Sequence, residues 1–221
     1  TPGEAGMAYE DFVCFAEDGA RITGWLVPAP DPRGTILVLH GNGGNISHRM
    51  HLIGLLRSLG WEVCIIDYRG YGASSGRPTE AGTYLDARAA WHYLVRERGV
   101  PPERIVVHGR SLGGAIATEL ATAVQPAGLI LESTFLSVPE MGRELYPFLP
   151  VRGLSRFRYD TLSRLPRVRC PILIAHSAQD EMIPFRHGER LFAAAPEPKT
   201  FFTLSGGHND GEDFTEPAYR A

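Results

Sequence analysis

Residues 105–117 read IVVHGRSLGGAIA and hold the most informative pattern in the chain. An apolar run is followed directly by Gly-x-Ser-x-Gly and then by a run of small residues. This arrangement predicts a strand, a sharp turn and a helix, with Ser111 raised at the end of a sheet as a candidate nucleophile. Glycine is required at positions 109 and 113 for a steric reason. A side chain two positions before or after the strained serine would collide with a neighbouring strand or helix.

The rest of the chain alternates between short apolar runs and longer stretches with helical spacing, which predicts an α/β fold: a mostly parallel central sheet covered by helices on both faces. An opening antiparallel hairpin is predicted around Asp18-Gly19. The predicted strands are residues 24–27, 35–39, 62–67, 105–107, 128–131, 172–175 and 200–204. The predicted helices are residues 46–59, 79–98, 112–124 and 184–194, with a short one after Asn209.

A length of 221 residues with 43% hydrophobic residues suits one domain over residues 1–221. Residues 134–166 break the alternation, since they are rich in Leu, Phe, Tyr and Pro without a clean helical or strand period. Connections of this length are usually functional. We therefore expect residues 134–166 to form a small cap over a site.

The composition argues against nucleic acid as a partner. The formal net charge is −3, and the basic residues are scattered apart from residues 152–169, which we expect to be a solvated surface. Cys14, Cys64 and Cys170 lack metal-ligand spacing, and the last two are predicted core thiols. No segment approaches the roughly 18 apolar residues of a membrane span.

A serine hydroxyl needs a base, a group that orients the base, and donors for the oxyanion. After Ser111, the predicted strand at 172–175 leads to Asp180, and the predicted strand at 200–204 leads to His208. Serine, acid and histidine in this order are typical of α/β-hydrolases. We predict that Ser111 attacks a carbonyl, His208 transfers the proton and Asp180 holds the imidazole.

The oxyanion donors are expected from two backbone amides. The strand at 35–39 ends in HGNGGN at residues 40–45, where three glycines let the backbone approach a ligand closely. The amide of Asn42 and the amide of Leu112, the residue after the nucleophile, are the predicted donors.

Other polar residues are either alternatives for the catalytic acid or are expected to have structural roles. Glu132 and Glu181 are the alternative acids, because each also follows a predicted strand. His108 and His176 are expected to be satisfied core or supporting groups, and His40 to shape its own loop. The histidines on predicted helices are expected at the surface, and no metal site is predicted; they are His48, His51, His92 and His187. The aromatic, glycine-containing stretch at 67–72 is expected to be a structured loop, with substrate lining as the alternative.

Four motifs in register resemble one branch of the α/β-hydrolase superfamily, the alpha/beta hydrolase domain proteins of types 13 and 17. They are HGNGGNISHR at 40–49, DYRGYGASSG at 67–76, GRSLGGA at 109–115 and GGHND at 206–210. The resemblance implies an α/β-hydrolase fold and a serine hydrolase acting on esters or thioesters. Type 17 members are protein depalmitoylases, but the cysteine-rich lipidation segment that they use is absent from this sequence.

The favoured function is hydrolysis of carboxylic esters with small to medium acyl chains through an acyl-enzyme, with no cofactor. The apolar residues of the insert are candidates for lining the substrate pocket, with cap packing as the alternative; they are Phe135, Leu136, Tyr146 and Phe148. The alternative functions are an acyl-protein or acyl-thioester thioesterase, a serine aminopeptidase-like amide hydrolase and a non-catalytic binding protein.

The expected partner is a small-molecule ester or thioester. Because the chain begins at Thr1 without methionine and many relatives carry an N-terminal membrane anchor, the resemblance implies membrane proximity through an upstream segment. The chain would then be the catalytic part of a membrane-anchored or exported protein.

Overall fold

The computed structural model describes residues 1–146, 148 and 155–209, and the predicted helix after Asn209 lies outside them. Eight strands form one sheet in the order β1-β2-β4-β3-β5-β6-β7-β8. The pairs β1–β2 and β2–β4 are antiparallel and all other pairs are parallel. The strands are β1 (Glu10–Phe15), β2 (Arg21–Val27), β3 (Thr35–Leu39), β4 (Glu62–Asp67), β5 (Ile105–Arg110), β6 (Gly128–Glu132), β7 (Ile172–Ser177) and β8 (Lys199–Leu204).

Six α-helices are described: α1 (Met50–Ser58), α2 (Glu80–His92), α3 (Leu112–Ala123), α4 (Val138–Leu145), α5 (Thr161–Arg164) and α6 (Arg186–Ala194). The predicted opening hairpin and every predicted strand are confirmed. The helix predicted at 46–59 begins with a 3₁₀ turn, Ile46–Arg49, and the one predicted at 79–98 ends in a π-helical turn, Tyr93–Glu97. The ring of Tyr93 stacks on Phe12 of β1 at 4.1 Å, a tertiary contact that local periodicity does not reveal.

Alternate residues of the strands build cores on the two faces of the sheet, as the period of two requires. On one face Leu37 and Val107 pack with Ile116 of α3 and with residues of α2. On the other face Ile36 and Ile65 pack with α1. The prediction of helices on both faces is therefore confirmed. Cys14, Cys64 and Cys170 are free and buried, and burial raises the pKa of Cys170 to about 11.

The segment at 134–166 contains an element that the sequence analysis did not predict. Helix α4 begins after Ser137, whose hydroxyl accepts from the amide of Glu140 at 3.2 Å, with a proline in its first turn. The return of the segment is fixed to α2, where the carboxylate of Glu80 accepts the amides of Arg158 at 2.6 Å and Tyr159 at 2.9 Å. Part of the expected cap and of the basic stretch lies outside the described residues.

The fold brings the ends of distant segments to one edge of the sheet. Strands β3, β5, β7 and β8 are parallel, so they end at the same edge of the sheet. The segments that follow them therefore lie at this edge: residues 40–45, Ser111, residues 177–181 and the loop after Leu204. Strand β5 lies between β3 and β6. Ser111 therefore projects from the middle of the sheet, between the turn that follows β3 and the loops that carry Asp180 and His208.

We expect Gly113→Ala to lower the free energy of unfolding by about 3 kcal/mol or to prevent folding. A Cβ atom at residue 113 would overlap the backbone carbonyl oxygen of Leu39, which cannot move without distorting β3. Gly54→Ala is the matched control, since Gly54 lies inside α1 with no heavy atom within 4 Å of the added carbon. Gly54→Ala should raise the free energy of unfolding by about 0.5–1 kcal/mol. Urea unfolding measures both, and a Gly113→Ala protein as stable as wild type would contradict the packing described here.

Candidate active site

Ser111 adopts a strained backbone conformation between β5 and α3. Its φ is 53° and its ψ is −118°, in a region that costs a non-glycine residue about 1–3 kcal/mol. Three hydrogen bonds hold it there. Its N–H donates to the Glu132 carbonyl at 2.9 Å, and its carbonyl accepts from the Gly114 amide at 3.0 Å and the Thr134 hydroxyl at 2.6 Å. The turn predicted from Gly-x-Ser-x-Gly is present with the expected geometry.

Asp180 and His208 lie within hydrogen-bond distance of each other. His208 Nδ1 is 2.8 Å from Asp180 Oδ2, while Asp180 Oδ1 accepts the amides of Met182 at 2.9 Å and Ile183 at 2.8 Å. Burial alone would raise the pKa of Asp180, but the hydrogen bonds from His176, His208 and the Ile183 amide outweigh it and lower the pKa well below its usual range. An ionised carboxylate only accepts hydrogen bonds, so the Nδ1 atom of His208 carries a proton, and in the neutral imidazole the lone pair is therefore on Nε2.

Ser111 and His208 line the same cavity, of about 500 Å³. One wall is the glycine-rich turn after β3, and the opposite wall comes from the loops that carry Met182 and His208. Its walls include polar groups, namely backbone from the turn and the side chains of His48, Arg49 and Arg110. We call this the polar cavity. It provides room for a reacting group beside both the hydroxyl of Ser111 and the imidazole of His208.

The turn at 40–45 passes close to the serine. An added Cβ on Gly41 would be 3.3 Å from the Cβ of Ser111, so only a glycine lets the turn approach this closely without displacement. The side chain of Asn42 is held by Tyr71, whose hydroxyl donates to Asn42 Oδ1 at 2.6 Å. Leu112 is the first residue of α3, where backbone N–H groups have no partner within the helix and the dipole favours negative charge.

A second, mostly apolar cavity of about 580 Å³ also reaches Ser111. We call it the apolar cavity. Its walls come from the start of the insert and from the loop that follows Asp180, and Met182 is shared with the polar cavity. Its lining residues are Ser111, Phe135, Val138, Met141, Gly142, Tyr146, Glu181, Met182 and Ile183. Ser111 thus lies where a polar and an apolar space meet.

The four substrate-lining candidates divide into two pairs. Phe135 and Tyr146 line the apolar cavity. Leu136 is instead fully buried in the core and is absent from the cavity lining, and its amide donates to His187 Nδ1 at 3.0 Å. Phe148 is 97% exposed and outside the cavity wall. Sequence analysis missed Met141 and Met182, and the helix start signal at Ser137 could have identified the first of them.

The structure corrects the predicted position of His187 and confirms the expected role of His176. His187 is buried rather than at the surface, because Glu144 of α4 lies over it with Oε2 at 3.0 Å from His187 Nε2. Burial lowers the pKa of His187. His176 is a supporting group as expected, with Nε2 at 2.9 Å from the Ile183 carbonyl. Glu132 Oε2 is 3.0 Å from His108 Nε2, and the Glu132 side chain is buried in the interior of the sheet. Asp180 is therefore the acid beside the imidazole of His208.

The stretch at 67–72 is a structured loop. The Asp67 carboxylate accepts the amide of Ile46 at 3.0 Å, and the Arg69 guanidinium binds both Asp18 and Asp86. Within the described ranges, no cluster of three or more His, Cys, Asp or Glu residues could hold a metal ion, and no helix has the length and apolarity to cross a membrane.

Comparison with known proteins identifies the family. A family model described as serine aminopeptidase, S33 matches residues 30–157. An uncharacterized protein of Mycobacterium tuberculosis is 42% identical over 208 residues, which are 93% of this chain and 74% of the relative. Alpha/beta hydrolase domain-containing protein 17B of Homo sapiens is 32% identical over 93% of this chain and 71% of its own length.

The fold is shared with solved structures. The esterase Pf2001 of Pyrococcus furiosus superposes with a TM-score of 0.82 at 20% identity, over 100% of this chain and 90% of the esterase. The family model covers more than half of the sequence, and the relatives align over most of both chains. This chain therefore belongs to the serine aminopeptidase S33 family within the α/β-hydrolase superfamily.

Proposed function

We propose that this hydrolase cleaves carboxylic esters of small to medium acyl chains through an acyl-enzyme on Ser111. The observation that carries the proposal is the position of Ser111 at the junction of the two cavities, with His208, which is bonded to Asp180, lining the polar one. The apolar cavity suits the acyl chain of a substrate. The polar cavity suits its leaving group and, later, the attacking water.

Each step follows from the placement of these groups. His208 Nε2 takes the proton of Ser111 as Oγ attacks the ester carbonyl, and Asp180 stabilises the resulting imidazolium. The amides of Asn42 and Leu112 donate to the oxyanion. His208 then returns the proton to the departing alcohol, and water repeats the sequence to release the acid. All of these groups belong to the chain itself.

The same groups could open a thioester or an amide, so the leaving group must be tested directly. Butyrate presented as an ester, a thioester and an anilide of matched size separates the three activities. We expect the ester to give the highest kcat/KM. A thioester or anilide that turns over faster would replace the carboxylesterase with the thioesterase or the aminopeptidase-like alternative.

We expect an alkyl fluorophosphonate to label wild-type protein once, on the peptide that contains Ser111, because only an activated serine hydroxyl displaces fluoride rapidly. Ser111→Ala should remain unlabelled in intact-mass measurements. Ser58→Ala, which removes a hydroxyl bonded to the Leu55 carbonyl in α1, is the control and should label like wild type. Labelling of Ser111→Ala would remove the assigned nucleophile, and a folded wild-type protein that neither labels nor hydrolyses any substrate would favour a binding role.

We expect activity on p-nitrophenyl esters to fall steeply beyond medium chain lengths, because longer chains would extend past the apolar cavity, whose lining includes the exposed side chains of Tyr146 and Met182. Met141→Trp should shift the optimum to shorter chains and lower kcat/KM for octanoate relative to acetate by about tenfold or more. Phe15→Trp adds an indole at an exposed site on β1 and should leave the profile unchanged. Rates that stay flat or rise toward palmitate would contradict a pocket of limited length.

We expect Asp180→Asn to lower kcat by about 10⁴-fold, because the amide no longer enforces the Nδ1–H tautomer. The pKa of Asp180 is lowered in the folded protein, so its contribution to stability is complete above the ordinary value of 3.8 and is lost as the pH falls below it. The unfolding free energy of wild type should therefore decline more steeply than that of Asp180→Asn between about pH 5 and pH 2. Parallel pH profiles of the two proteins would show that the carboxylate is not stabilised in this way.

A further inference from the structure

The backbone of His208 is held from two sides by charged side chains. The guanidinium of Arg110 donates through Nη2 to the carbonyl of His208. On the other side, the amide of His208 donates to Glu181 Oε2 at 2.9 Å. Hydrogen bonds to ionised groups are about twice as strong as neutral ones. The peptide groups flanking this residue are thus fixed independently of its imidazole.

Arg110 is itself fixed in direction by the sheet. Arg110 and Glu132 are register partners at the ends of β5 and β6, with Arg110 Nε at 3.3 Å from Glu132 Oε1. The other carboxylate oxygen of Glu132 is 3.0 Å from His108 Nε2. All three side chains are buried, and a buried charge keeps its partner because an uncompensated one costs several kcal/mol. The guanidinium is therefore presented to His208 in a defined orientation.

The loop that carries Asp180 supplies the opposing contacts. Glu181 follows Asp180 directly, so neighbouring carboxylates bind the backbone and the imidazole of His208. The hydrogen bond from the His208 amide lowers the pKa of Glu181 and keeps it ionised. Gln179 Oε1 accepts the Gly206 amide at 2.8 Å, and the Ser177 hydroxyl donates to the Gly206 carbonyl.

The position of β8 in the sheet explains why the loop with His208 needs these contacts. In the part of the chain that the structure describes, β8 is an edge strand that pairs with β7 alone. A loop leaving an edge strand has sheet support on one side only. The loop with His208 therefore needs anchors beyond its strand, and Arg110 spans from the central strand β5 to provide one.

We propose that Arg110 and Glu181 are positioning residues that clamp the backbone of His208 and thereby hold its Nε2 atom in line with Ser111 Oγ. The inference rests on the proposed function, since it assigns these residues to the alignment of the proton-transfer step. Arg110 also lines the polar cavity and Glu181 the apolar one, so contact with the substrate is the competing explanation for both. The two explanations differ in kinetics, because misalignment lowers kcat whereas a lost binding contact raises KM.

The test compares Arg110→Met, Arg110→Lys, Glu181→Leu and Glu181→Gln with wild type on p-nitrophenyl butyrate and on a fluorophosphonate. We expect Arg110→Met and Glu181→Leu to lower kcat by about 10–100-fold with KM changed less than about threefold, because small displacements of catalytic groups cost about this much. The rate of fluorophosphonate labelling should fall in parallel. Glu181→Gln keeps an acceptor for the His208 amide and should recover most of the loss seen in Glu181→Leu, and Arg110→Lys should recover part of the loss seen in Arg110→Met.

Arg98→Met is the matched control, because it removes an exposed guanidinium that pairs with Glu10 on β1, away from both cavities. It should keep wild-type kinetics. Glu181 is exposed, so Glu181→Leu keeps the proposal testable where Arg110→Met fails to fold. Wild-type kcat in Glu181→Leu and in folded Arg110→Met, or a rise in KM alone, would overturn the positioning role.

A spectroscopic signal separates this inference from the proposed function. The Nδ1 proton of His208, hydrogen-bonded to Asp180, gives a downfield proton resonance in NMR spectra whether or not the protein hydrolyses esters. We expect this resonance to shift or broaden in Arg110→Met and Glu181→Leu and to persist in Arg98→Met. An unlabelled, inactive wild type would overturn the proposed function alone, whereas an unchanged resonance in both clamp variants would overturn the clamp alone.

Discussion

The close approach of Gly113 to the carbonyl of Leu39 is the constraint on which the site depends. It brings the start of α3 against the end of β3, and a side chain at residue 113 would push the two apart. With this contact in place, Ser111 is held in its strained turn and Gly41 passes beside it. The surrounding hydrogen bonds hold Ser111 in its strained conformation in the folded protein. No further free energy is therefore needed to expose its hydroxyl to the cavities during a reaction.

The two cavities divide the surroundings of Ser111 by polarity. The apolar one is built largely from the insert, through Val138 and Met141 of α4, whereas the polar one is built from loops of the sheet edge. Under the proposed function, the loops of the sheet edge supply the reactive groups, and the insert supplies the surface that recognises an acyl chain. The family is therefore readable from the sheet motifs, whereas the proposed acyl specificity rests on the described part of the insert, whose sequence has no regular period.

Sequence patterns sufficed wherever the determinant was local. Short apolar runs located the strands, and Gly-x-Ser-x-Gly located the turn at Ser111. The errors arise from contacts between distant segments. His187 is buried because α4 places Glu144 over it, and Leu136 packs into the core rather than lining the cavity. The contact between Arg110 and His208 joins residues 98 positions apart, so no local pattern could reveal it.

The most direct test of the account is a crystal structure of the protein after reaction with a medium-chain alkyl fluorophosphonate. The account predicts phosphorus bonded to Ser111 Oγ, its oxygen within hydrogen-bond distance of the Asn42 and Leu112 amides, and His208 Nε2 facing Ser111 Oγ. The alkyl chain should lie between Phe135 and Met182. An adduct on another residue, or a His208 imidazole out of contact with Ser111, would contradict the central claim that these groups act together.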